Sequence, residues 1–211
     1  MTMIDGNMIQ VIKLEKLEKG KRRLKFGNGD CCIVYYSEIR GFQIEEGDYI
    51  SCQVYEYIFK DIVGKRAKKR ALYLLEQMDR TEQQLREKLT ASEYPSRCID
   101  EAIEYVKSFH YLDDERYAET YIRYKKDRMS RHQIKQKLMM KGVSREIVTD
   151  TIESEYDVDE SVHIRKLLEK KHFSNVNNDA GEFRRVYNYL LRRGFRSNDI
   201  LREMKCVGAD W

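Results

Sequence analysis

The chain repeats itself, and that repeat restricts its possible folds more than any other feature. Thr81-Glu82-Gln83-Gln84-Leu85 with Leu89 aligns with Ser130-Arg131-His132-Gln133-Ile134 with Leu138 at a constant offset of 49 residues. The same offset pairs Tyr94 with Val143, Ile99 with Val148 and Ile103 with Ile152. A third copy follows at an offset of 52, pairing Ile134 with Val186, Leu138 with Leu190, Gly142 with Gly194, Val143 with Phe195 and Val148 with Ile200. Self-similarity at this period marks a supersecondary unit that cannot bury its apolar face alone and stacks on its neighbours.

The chemistry at equivalent positions agrees. Thr81 with Gln84, and Ser130 with Gln133, form the Ser/Thr-x-x-Gln box in which side chains and backbone N–H groups cap a helix start reciprocally. The third copy has Asp179 and Glu182 slightly earlier, so its helix is expected to begin sooner. Gly142 and Gly194 stand where a helix ends in the left-handed conformation. Glu93 replaces them in the first copy, where the stop is assigned to Pro95. Apolar spacing predicts three helices per copy: residues 66–78, 82–91 and 96–108, then 114–127, 131–140 and 145–154, then 159–170, 180–192 and 198–205. Helices this short are unstable alone in water, so each trio must pack its stripes together.

The first quarter reads differently. From residue 8 to about 60, β-rich runs are punctuated by turns: Met8 to Leu14, then Leu24 and Phe26 before Gly27-Asn28-Gly29-Asp30, then the return strand Cys31-Cys32-Ile33-Val34-Tyr35-Tyr36. Asn-Gly is the strongest short hairpin signal because both residues tolerate positive φ. Past Glu46-Gly47-Asp48, Ile50, Cys52 and Val54 alternate with Ser51 and Gln53, as a fourth strand would. Tyr35, Tyr36, Tyr49, Tyr55 and Tyr57 suit either cross-strand packing or base stacking. At Gly64 the pattern becomes helical, and Lys65-Arg66-Ala67-Lys68-Lys69-Arg70 places cations where a new helix dipole disfavours them. That run faces either an anionic partner or solvent.

These readings predict a mainly α chain. A small antiparallel β-rich domain (1–63) precedes three tandem three-helix repeats (64–112, 113–157 and 158–211) that form an elongated, curved body. Charged residues make up 36% of the chain, which demands a large wetted surface. The positive excess sits at the end: residues 161–211 hold 11 Lys/Arg and 6 Asp/Glu, whereas residues 65–160 hold 20 of each. That placement suits an anionic partner, and equally a solvated helical surface.

Several function classes lack support. No apolar run approaches the roughly 18 residues of a membrane span, and the N-terminus does not read as a secretory signal, so the cytoplasm is the default. Cys31, Cys32, Cys52, Cys98 and Cys206 form no C-x-x-C and read as buried free thiols. His110, His132, His163 and His172 have no metal-ligand spacing, and no nucleophile elbow or phosphate loop occurs. Asp113-Asp114-Glu115 reads as helix-start chemistry. No catalytic residue, metal, cofactor, membrane contact or small-molecule substrate is expected.

In order and at this spacing, four stretches resemble the RecX family of recombination regulators. They are Ala71-Leu72-Tyr73-Leu74-Leu75 with Arg80 to Leu89, Tyr111-Leu112-Asp113-Asp114-Glu115-Arg116-Tyr117-Ala118, Ser130 to Leu138 with Lys141-Gly142-Val143, and Tyr189-Leu190-Leu191-Arg192-Arg193-Gly194-Phe195. The likeness covers residues 65–206, and the β-rich head lies outside it. It implies a non-enzymatic protein that binds along the groove of RecA filaments on DNA and spans more than one RecA subunit. It also implies restraint of strand exchange, ATP hydrolysis and coprotease activity in DNA repair and the SOS response, with weak DNA binding as an accompaniment. The candidate contacts to the filament are Arg123, Lys125, Lys126, Arg128, Arg131, Lys135, Lys137 and Lys141 in the second repeat, and Arg184, Arg185, Arg192, Arg193 and Arg196 in the third. Interleaved tyrosines (Tyr117, Tyr121, Tyr124, Tyr187 and Tyr189) are typical interface anchors. The alternative is a direct DNA-binding module, since three-helix units resemble helix-turn-helix domains. The zero net charge of residues 65–160 disfavours it.

Overall fold

A computed structural model describes residues 8–174 and 180–206. Asp179, the expected cap of the third copy, lies outside them. The chain divides into two compact units, one ending at Asp113 and the next beginning at Asp114.

The first unit opens with a four-stranded antiparallel sheet in the order β3-β2-β1-β4, made of β1 (Met8–Lys16), β2 (Lys21–Phe26), β3 (Cys31–Tyr35) and β4 (Tyr49–Ser51). The expected hairpin at Gly27–Asp30 forms, but only Gly29, not Asn28, takes positive φ (+90°), and the N–H of Phe26 donates to Asp30 O at 2.9 Å. A short helix, α1 (Tyr36–Ile39), follows β3.

Residues 52–64 correct the reading of a longer fourth strand. The strand stops at Ser51, whose hydroxyl accepts from the N–H of Val54 and starts helix α2 (Cys52–Tyr57). The backbone then stays helical through a wide π turn (Ile58–Gly64) into α3 (Lys65–Gln77), with Ile58, Gly64 and Lys65 all in right-handed helical conformation. The cations Lys65–Arg70 are therefore not at a helix N-terminus, and the expected clash with a helix dipole does not arise. Arg66 instead ties α3 to the sheet: its guanidinium donates to the Glu38 carboxylate at 2.8 Å and to the carbonyl of Ile33.

Helices α4 (Glu82–Ala91) and α5 (Ser96–Ser108) complete the first repeat. One apolar core runs from Val11, Leu24 and Phe26 through Ile58 and Phe59 to Ala71, Leu85, Leu89 and Ile103. The residues assigned on sequence to a head (1–63) and a first repeat (64–112) thus contribute to a single core. Of the five cysteines, Cys32 and Cys98 are buried as expected, whereas Cys31 and Cys206 are exposed and Cys52 is half-buried. Burial pushes the Cys98 thiol up to about 11, so it packs as a small apolar group.

The second unit holds the other two repeats. Helices α6 (Asp114–Lys125), α7 (Arg131–Met140) and α8 (Arg145–Glu155) surround a core of Ile122, Ile134, Leu138, Val148 and Ile152. Helices α9 (Glu160–Lys170), α10 (Ala180–Arg192) and α11 (Ser197–Cys206) surround Ile164, Leu168, Val186, Leu190, Ile200 and Met204. The expected helix boundaries hold to within two residues at every end except the start of the first, where the helical backbone runs back to Cys52.

The repeat is visible in atomic detail. Both capping boxes form, on α4 and α7, with Thr81 and Ser130 fully buried. Gly142 and Gly194 take φ +88° and +79° as expected. The first copy corrects the role given to Pro95, because Glu93 itself adopts φ +59°. Tyr94 N–H then donates back to Leu89 O, as Val143 does to Leu138 and Phe195 to Leu190. A left-handed glutamate carries a conformational cost that glycine avoids. The Glu93 carboxylate meets Arg23 of β2 at 2.6 Å.

Candidate functional site

The structure sorts the thirteen candidate cations into groups with different tasks. Arg123 and Lys126 are engaged within their own repeat. The Arg123 guanidinium donates to the Glu155 carboxylate at 2.8 and 3.0 Å and to Glu119 at 3.2 Å. Lys126 meets Asp157 at 2.7 Å. The hydrogen bond from Arg123 holds the Glu155 carboxyl below its ordinary range, and Lys126 does the same for Asp157. These pairs tie the end of α6 to the end of α8. Arg131 lies over the Tyr156 ring, 5.1 Å from its centroid, and donates to the Tyr156 carbonyl at 3.1 Å. Half-buried Lys141 sits 5.7 Å from the centroids of both Tyr117 and Tyr121, whose rings stack on each other. Lys125, Arg128 and Lys137 are exposed and Lys135 half-buried, and none of the four has an ion pair among the described residues.

The third repeat concentrates charge. A surface depression of about 440 Å³ is lined by Lys171, Glu182, Arg185, Val186, Asn188, Tyr189 and Arg192. Tyr189 is its aromatic centre: Lys171 Nζ lies 4.8 Å from the ring centroid and the Arg193 guanidinium 4.9 Å. Arg185 and Arg192 lie on the same helix, four and three residues from Tyr189 respectively, as neighbours on one face must. Two cations thus lie against one ring and two more line the depression beside it, with Glu182 the single carboxylate of that lining. Guanidinium groups offer planar forks that match carboxylate and phosphate oxygens. Exposed Arg184 lies on the same helix outside this lining. Lys171, beyond the end of α9, was not among the sequence candidates. The available signal was its place in Lys170-Lys171-His172, at a helix end where cations are favoured.

Arg196 and Arg131 come together elsewhere, in a depression of about 360 Å³ that also holds Arg202, Asp159, Glu160 and Asp199. Its carboxylates cap helices: Asp159 accepts from Ser161 N–H at 2.9 Å, and Glu160 from Arg131 N–H at 2.6 Å. Balanced charge with those N–H groups already satisfied makes this a structural joint.

A polar seam positions the cluster. The Ser130 hydroxyl, which caps α7, donates at 2.5 Å to the carbonyl of Arg193. Gly194 presses so closely on His132 that an added Cβ would lie 2.5 Å from Nδ1 and 2.8 Å from the His132 Cβ. The second and third repeats keep separate apolar cores. The N-cap of α7 and the C-terminal turn of α10 meet between them, which fixes Arg192 and Arg193 relative to α7.

Comparison with known proteins matches each repeat in turn. The models for the first, second and third three-helix domains of RecX match residues 67–105, 113–152 and 159–204. Regulatory protein RecX of Caldanaerobacter subterraneus subsp. tengcongensis is 34% identical over 193 residues, covering 90% of this chain and 95% of the relative. The chain belongs to the RecX family. Regulatory protein RecX of Clostridium perfringens is 30% identical over 167 residues, covering 76% of this chain and 79% of the relative. Among solved structures, a crystal structure of regulatory protein RecX matches with a TM-score of 0.61 at 20% identity, over 90% of this chain and 96% of that one. RecX from Lactobacillus salivarius matches with a TM-score of 0.57 at 20% identity, over 69% and 96%. These likenesses establish the fold and a regulatory family. Among the described residues no group of three or more His, Cys, Asp or Glu is placed to hold a metal ion, and no helix is long and apolar enough to cross a membrane.

Proposed function

We propose that this RecX-family chain is a cytoplasmic, non-enzymatic regulator that binds RecA filaments on DNA. In this reading it restrains ATP hydrolysis, strand exchange and coprotease activity in DNA repair and the SOS response. The observation that carries the proposal is the cation cluster around Tyr189, held by the Ser130–Arg193 seam within a chain of RecX repeats. A filament presents the same surface at regular intervals. A chain of similar units gains strongly from effective concentration when its spacing fits. Contacts run through Lys171, Arg185, Arg192 and Arg193, with Lys125, Arg128 and Lys137 of the second repeat adding charge. Arg123, Lys126 and Arg131 serve the fold.

The test is RecA's ATP hydrolysis on single-stranded DNA with this protein added well below RecA stoichiometry. Inhibition is the expected result. No inhibition, together with no co-sedimentation with filaments, overturns the proposal. A steep salt dependence on naked DNA would then favour direct DNA binding. The double variant Arg192→Glu with Arg193→Glu is expected to weaken filament affinity by about tenfold or more, since each reversal puts a like charge against an anionic surface. Both side chains lie outside the apolar cores, so its circular dichroism should match the parent. Unchanged affinity would exclude this cluster as the contact.

A further inference from the structure

Strand β1 is only partly covered. Its first half pairs with β4 through Met8–Gln10, and Val11 continues that side by bonding Asp48 O and Gly47 N. An irregularity between Val11 and Lys13 then shifts the register. Beyond it β1 pairs with β2 alone, and among the described residues no strand lies on its other side. In an antiparallel ladder alternate residues turn their peptide groups to opposite sides. The N–H of Leu14 faces that open edge and donates at 3.1 Å to the carboxylate of Glu46, so a side chain occupies the place of a strand. Lys16, two residues on, turns its peptide the same way.

This open edge borders a groove of about 710 Å³ between the sheet and the segment after α1. Leu14, Ile39 and Ile44 give it an apolar floor, and Lys16, Arg22 and Arg40 line it. None of these three cations has an ion pair among the described residues, and Arg22 lies against the Tyr36 ring, 5.3 Å from its centroid. Glu45 and Glu46 are the carboxylates of the lining, and Glu46 is engaged on Leu14.

We infer that the β1 edge from Leu14 to Lys16 is a docking site for an extended acidic polypeptide segment, which adds to the sheet as a further strand. The segment's carbonyl replaces Glu46 on the Leu14 N–H, main-chain bonds continue at Lys16, and its carboxylates meet Lys16, Arg22 and Arg40. An apolar floor beside unpaired strand groups fits a peptide, whose backbone alternates donors and acceptors at strand spacing, rather than a nucleic acid, whose backbone does not. Glu46 acts as a displaceable plug that keeps the edge from pairing indiscriminately. The inference does not rest on the RecA reading.

The test uses the full chain and a fluorescein-labelled eight-residue peptide of alternating Val and Glu, followed by anisotropy, with the Val–Lys peptide as control. Binding of the acidic peptide is expected to exceed that of the basic one and to slow hydrogen exchange at Leu14. Glu46→Ala should tighten it about fivefold, the order of one freed hydrogen bond. Arg40→Glu, at an exposed position, should weaken it about tenfold by placing a like charge in the groove. Equal binding of the two peptides, or no response to either variant, overturns the inference. So does displacement of the peptide by a single-stranded oligonucleotide, or dimerisation of Glu46→Ala in sedimentation, which would give the edge to a second copy. RecA ATPase inhibition should be the same for Glu46→Ala as for the parent, which keeps this outcome separate from that of the proposed function.

Discussion

Replacing Phe59 with Ala is expected to cost about 3–5 kcal/mol, and to unfold the sheet and the first helical repeat together. Phe59 is 1% exposed in the π turn between α2 and α3. Its ring packs 5.6 Å from that of Phe26 in β2 and 4.7 Å from that of Tyr55, with the Arg97 guanidinium of α5 4.8 Å from its centroid. Its carbonyl accepts the Cys98 thiol at 3.4 Å. One side chain thus contacts both halves of the core, and truncation leaves a cavity shared by both. A typical domain is stable by only about 5–15 kcal/mol, so this loss is a large share of the total. Native-state hydrogen exchange checks it: amides of β2 and α5 should lose protection by the same free energy. If β2 loses protection while α5 keeps its parental value, the head and the first repeat are separate folding units.

The same region shows where sequence patterns mislead. Ile50, Cys52 and Val54 alternate with polar residues, and that short run fits a strand. Yet Tyr55, Ile58, Phe59, Ile62 and Val63 follow at helical spacing, and Ser51 stands where an N-cap belongs, so the helix was legible in a longer window. The repeats were legible because capping and core positions recur locally within each copy. The stop at Glu93 was not, because a left-handed glutamate leaves no mark that a glycine would. The candidate site was legible only as charge. Arg123 has one local partner, Glu119, four residues back on α6, but Glu155 and Asp157, the other partners of Arg123 and Lys126, stand about thirty residues away and come close only through the packing of α6 on α8. The gathering of Lys171, Arg185, Arg192 and Arg193 around Tyr189 depends likewise on α10 lying beside the end of α9.

Substitution of Gly194 by Ala is expected to destabilise the second unit by about 2–5 kcal/mol. Left-handed backbone costs a residue with a Cβ about 1–2 kcal/mol, and forcing atoms into a filled contact costs about 1–3 more. Gly29→Ala separates the two contributions, because Gly29 has φ +90° and nothing within 4 Å of an added Cβ. It should lose about 1–2 kcal/mol, from backbone strain alone. His132→Ala should rescue Gly194→Ala only in part, since it removes Nδ1 at 2.5 Å but leaves the His132 Cβ at 2.8 Å. His132→Gly removes that atom and should recover the crowding share in a double-mutant cycle, after correction for its own helix cost of about 1 kcal/mol. Urea unfolding of the four variants measures the energies, and filament binding measures their consequence. Arg193 precedes Gly194, and its carbonyl holds the Ser130 hydroxyl, so crowding at the seam should displace the cation cluster as well as weaken the fold. Gly194→Ala should therefore lose more filament affinity than Gly29→Ala, under conditions where both remain folded. Equal affinities would mean that the seam stabilises the repeats without positioning the contact surface.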